Sequence, residues 1–85
     1  MINVEKLEEG LNSLRGYDMI TLEKEERLAG NTALELSTSK GFQARVAAKA
    51  LGVNPHDLLE LPLRTFNQVC VRTFAFLNAP DESTT

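Results

Sequence analysis

The stretch from Phe42 to Leu77, FQARVAAKALGVNPHDLLELPLRTFNQVCVRTFAFL, constrains the fold more than any other part of the chain. Gly52 and Pro62 cut it into three helical segments. Gly52 is a natural helix terminator, and Asn54-Pro55-His56-Asp57 is a restart. Asn54 caps, Pro55 sits where its missing N–H does no harm, and Asp57 favours the positive helix end. Pro62 stops the short helix and opens the next. The final segment, about 63–77, places Phe66, Val69, Cys70, Thr73, Phe74 and Leu77 on one stripe at helical spacing, with Arg64, Gln68 and Arg72 opposite.

Upstream, Ser37-Thr38-Ser39 offers three candidate N-caps for a helix over 39–51, with Phe42, Val46, Ala47 and Ala50 as its core stripe. Its many alanines permit close helix approach. Asn3 can cap a short helix over Val4–Glu9 that Gly10 would end. A second helix is expected from about Ser13 to Ala29, stopped by Gly30, with Leu14, Tyr17, Ile20, Thr21 and Leu28 on its core face. Glu23 and Arg27 form an i, i+4 pair in the favourable order. Residues 30–37 break the pattern and read as a loop tucking Leu34 and Leu36 against the core. A strand around Met19 to Leu22 is the alternative, but the following EKEERLA is much better helix. The expectation is all-α: one small domain of four to five helices over residues 1–78, with a disordered polar tail over 79–85. The last helix is expected to be central to the core.

Eighty-five residues lie near the lower limit for a core without staples, so self-association would help. One cysteine cannot form an internal disulfide. The start lacks the organisation of a signal peptide, and no apolar run approaches a membrane span. These features point to a cytoplasmic protein. The net charge of -3 is uneven: residues 1–37 carry eight acidic and four basic side chains, and residues 38–77 five basic and two acidic. Either the two halves complement each other on packing, or the molecule is a dipole that recognises an oppositely charged partner.

No constellation for catalysis is present. His56, the only histidine, has no second histidine and no ligand-spaced acids, so neither a metal nor a cofactor is expected. Cys70 lies on the apolar stripe, where a small core residue is expected. A helix-turn-helix DNA-binding or regulatory protein is the alternative reading of QARVAAKALGVNPHDLLEL. The would-be recognition helix PHDLLEL, however, offers two carboxylates and three leucines in place of donors and amides. No nucleic-acid partner is therefore expected. Binding of another protein is the expected function, and not an enzymatic one.

Two sets of residues carry a family resemblance. Leu14, Gly16, Asp18, Met19, Ile20, Glu23, Lys24, Glu25 and Arg27 form the first. Val46-Ala47-Ala48-Lys49-Ala50, Gly52, Asp57, Leu59, Leu61, Phe66, Asn67, Val69, Phe76 and Leu77 form the second. With them the segment Leu14 to Leu77 resembles the small tail assembly chaperones of long-tailed bacteriophages and prophages. The resemblance covers about three-quarters of the chain and implies a non-enzymatic protein of the bacterial host cytoplasm. It implies binding to the tape measure protein, which is kept soluble, with the tail tube protein as a second candidate partner. Weak homo-oligomers are expected. Apolar edges near Leu58, Leu59 and Phe76 would make the contact, because the short helix cannot bury its leucine cluster. Arg45, Lys49, Arg64 and Arg72 would tune orientation and on-rate.

Overall fold

The computed structural model describes residues 4–78. Helix α1 spans Val4–Ser13 and α2 spans Gly16–Leu28. A single 3-10 turn over Leu36–Thr38 leads into α3, Lys40–Leu51; α4, Pro55–Leu59, and α5, Leu63–Asn78, complete the chain. The fold is all-α, and no strand occurs among the described residues. The cap expected of Asn3 and the tail 79–85 lie outside them.

The restart after α3 forms as its chemistry requires. Gly30 and Gly52 turn the chain after α2 and α3 with φ of 104° and 72°. Asn54 Oδ1 accepts the His56 N–H at 2.9 Å, and Asp57 Oδ2 accepts the Asn54 N–H at 3.3 Å, closing a reciprocal cap. The Pro62 carbonyl accepts the Phe66 N–H at 2.9 Å, so the residue that stops α4 also begins α5.

The hub of the molecule is α3, not the last helix. It touches α1, α2, α4, α5 and the 3-10 turn. Phe42, Gln43, Ala44, Val46, Ala47 and Ala48 are all buried, so burial reaches most of the way round its axis. Three of these are alanines, and a short side chain lets neighbours approach from several directions. Helix α5 is one-sided: Val69, Cys70 and Thr73 are buried, Phe66 and Leu77 are half-buried, and Phe74 is exposed at the margin.

Helix α1 does not end at Gly10. It continues to Ser13 because Gly10 lies at its crossing with α3. A methyl group there would overlap the Ala50 carbonyl and stand 2.6 Å from its carbon. Leu7 and Leu11, on either side of this contact, are buried. The missing side chain is what allows the two backbones to meet.

The expected face of α2 is largely replaced, and of its five residues Leu14 alone packs partly against the core. Leu14 precedes the helix, which starts at Gly16, where Asp18 Oδ2 accepts the Arg15 N–H at 2.9 Å. Tyr17, Ile20, Thr21 and Leu28 point to solvent, while Leu22 and Glu26 are buried and Met19 packs partly against the core. Arg27 does not turn to Glu23. It donates to the Asn31 carbonyl at 3.2 Å and to the Ala33 carbonyl, bracing the loop. Of the two loop leucines, Leu36 enters the core and Leu34 is fully exposed.

Candidate functional site

The polar centre joining α2 to α3 accounts for one predicted cation. Glu26 is 8% exposed. Its Oε1 accepts Arg45 Nε at 2.8 Å, and its Oε2 accepts Asn31 Nδ2 at 2.7 Å. The same Asn31 nitrogen donates to Ser39 Oγ at 2.8 Å, and Asn31 Oδ1 accepts the Ala33 N–H at 2.9 Å. Gly41 leaves room for this cluster, since a Cβ there would lie 2.9 Å from Glu26 Oε2. Burial pushes the Glu26 carboxyl up, but the hydrogen bonds from Asn31 and Arg45, with the Arg45 charge, hold it below its ordinary value. Arg45 therefore fastens the fold and is not a free cation. It still shares one depression with Lys49, which is exposed, and the two line it with Leu22, Glu25, Ala48, Val53 and Pro55.

The leucine cluster also divides. Leu58 is wholly buried and belongs to the core, because α4 lies against α3 and turns this residue inward. It is not an accessible edge. Leu59 is exposed, Leu61 packs partly against the core, and Phe76 is 38% exposed on α5.

A continuous accessible surface lies on the outer side of α5. Leu63, Asn67, Val71 and Phe74 follow one another at i, i+4, i+8 and i+11, and Leu63 and Val71 are 73% and 62% exposed. Beside them run Arg64, Gln68 and Arg72. Two shallow depressions meet at Val71. One lies towards the start of α3, lined by Thr38, Lys40, Gln43, Val71 and Phe74. The other follows α5, lined by Arg64, Asn67, Gln68, Val71 and Arg72. Arg72 faces Glu8, whose Oε1 is 4.0 Å away, with both side chains well exposed. Such a pair is weak and readily exchanged. Of the predicted residues, Arg64 and Arg72 are thus brought together. The exposed Val71 was missed because the pattern identifies the inward stripe of a helix more readily than an apolar residue left outside it.

A second open groove runs between α2 and the loop, lined by Ile20, Glu23, Lys24, Arg27, Leu28, Leu34, Glu35 and Leu36. Its charges are mixed, and its apolar rim is the face of α2 that the sequence assigned to the core.

Elsewhere, Cys70 is buried, and burial pushes its thiol up despite the opposing charge of Lys40, which leaves it protonated and unreactive. His56 stands exposed at the start of α4. Among the described residues no three His, Cys, Asp or Glu side chains gather where they could hold a metal ion, and no helix is long and apolar enough to cross a membrane. Comparison with known family models, curated proteins and solved structures gives no match to this chain.

Proposed function

We propose that the protein is a non-catalytic helical adaptor of phage tail assembly that binds the tape measure protein and keeps it soluble in the bacterial cytoplasm. The observation that carries this reading is the apolar strip Leu63, Val71 and Phe74, left in solvent beside the packed stripe of Val69, Cys70 and Thr73. Isolated exposed apolar residues are ordinary, but a strip at helical spacing is the kind of surface that receives another helix. The resemblance of Leu14 to Leu77 to the tail assembly chaperones supports the same partner. A tape measure protein is a long helical chain with apolar stripes to cover before the tube encloses it. Many weak adaptors along one chain gain avidity and still release. Weak self-association and contact with the tail tube protein belong to the same reading.

The test is co-expression with the tape measure protein encoded nearby, followed by pull-down and a solubility assay. A soluble complex is expected. Recovery of no complex, with the tape measure protein no more soluble than alone, overturns the proposal.

One observation favours a second reading. Arg64, Asn67, Gln68 and Arg72 are donor and amide side chains on one exposed helix face, the residue types that read base edges. A small DNA-binding regulator would then use α5 and not the five-residue α4. A specific, salt-dependent shift of a defined duplex would establish it.

A further inference from the structure

We propose that the outer strip of α5 is the seat of an acidic amphipathic helix, one whose apolar stripe is flanked by carboxylates. This rests on the adaptor reading and names the chemistry of the segment it would capture. The strip from Leu63 to Phe74 covers three turns, a length of roughly 16 Å at 1.5 Å per residue, which suits a helix laid alongside. Val71 stands between the two depressions, so an incoming side chain can settle on either side of it.

The charges specify the occupant. Helix α5 carries Arg64 and Arg72 and no acidic residue. Lys40 lies across the strip, at the start of α3. A docked helix therefore meets a cation on one flank and two on the other. Carboxylates on both of its flanks would be matched, whereas lysines would meet like charge on both, a discrimination that acts on specificity and on-rate. Arg72 can turn to an incoming carboxylate because its contact with Glu8 is long and exposed. A nucleic acid duplex fits less well, since three cations interrupted by Leu63, Val71 and Phe74 make a poor phosphate track. The groove along α2 fits less well too, because Glu23 and Glu35 there alternate with Lys24 and Arg27.

The experiment uses two synthetic helical peptides with the same leucine stripe, one flanked by glutamates and the other by lysines. Each is titrated into the isotope-labelled full chain, with calorimetry at low and high salt. The glutamate peptide should bind at least about tenfold more tightly at low salt and lose that advantage at high salt. Resonance changes should centre on Leu63, Val71 and Phe74. Arg64→Glu with Arg72→Glu should invert the preference, and Val71→Asp, at an exposed position, should abolish binding of both peptides without unfolding the chain. Lys49→Glu should change nothing.

Equal binding of the two peptides overturns the proposal, as do resonance changes on the α2 groove. Displacement of the glutamate peptide by duplex DNA overturns it in favour of nucleic acid. A concentration-dependent oligomer that Val71→Asp dissolves overturns it in favour of a second copy. Capture of the tape measure protein without peptide preference removes this inference and leaves the adaptor reading intact. Peptide preference without that capture does the reverse.

Discussion

Replacing Gly10 by alanine sets helix propensity against packing, and the structure decides the sign. In an exposed helix interior the exchange is worth about 1 kcal/mol in favour of alanine. Here the new methyl would meet main-chain atoms of Ala50, 2.6 Å from its carbonyl carbon and 3.0 Å from its Cα. No rotamer change relieves a contact with backbone, so α1 must lift from α3. Leu7 and Leu11 would lift with it, and both are essentially without solvent contact. Overpacking typically costs about 1–3 kcal/mol, and a rigid neighbour places this site at the upper end. The net loss is about 2 kcal/mol, which for a domain of this size lowers the melting temperature by about 10 °C. Gly16→Ala is the control. Its φ is not positive and a methyl there meets nothing within 4 Å, so it should leave stability unchanged or raised by up to about 1 kcal/mol. Urea unfolding followed by helical circular dichroism measures both. A Gly10→Ala midpoint at or above that of the parent would refute the close crossing.

Three further outcomes are expected. Leu58→Ala should lose about 3 kcal/mol, whereas Leu59→Ala should stay within about 0.5 kcal/mol, and equal losses in thermal unfolding would return Leu58 to the surface. Thr73 Oγ1 is buried without a partner, so Thr73→Val should be neutral or stabilising by about 1 kcal/mol in the same assay; a clear loss would mean that the hydroxyl is satisfied. The folded-state value of Glu26 lies below its ordinary one. Its contribution is therefore complete above the ordinary carboxylate value and is lost as pH falls through the folded one. Unfolding midpoints measured down the acid range should show this loss in the parent and a shallower slope in Glu26→Gln, and identical slopes would sink the assignment.

Local signals with a single physical meaning were legible. Asn54, Asp57 and Pro62 act through their immediate neighbours, so spacing alone placed α4 and the start of α5. The stripe of Val69, Cys70 and Thr73 was readable because α5 packs on one side only. Helix α2 was misread because two registers compete. Tyr17, Ile20 and Leu28 are more apolar than the observed Met19, Leu22 and Glu26, and Glu26 enters the interior only through Asn31 and Arg45. Arg45 lies nineteen residues away, beyond any helical spacing that would have paired it. Gly10 carries two meanings, helix end and helix crossing, and only the position of Ala50 distinguishes them. The candidate surface was half visible: Arg64 and Arg72 followed from their spacing. Val71 did not, because nothing in one sequence says which apolar residue will be left without a neighbour.

The carboxamide of Asn31 has a consequence for how this chain could be lengthened. By joining the Glu26 carboxylate to the Ser39 hydroxyl, it staples the two ends of the α2–α3 link together near its base. The tip around Leu34 then hangs from a closed ring and carries no tension between the helices. Extra residues there add only the slowly growing entropy of a longer loop. A sequence tag inserted at Leu34 should leave the α2–α3 docking undisturbed, while the same tag between Glu26 and Asn31, on the α2 side of the staple, would open the ring.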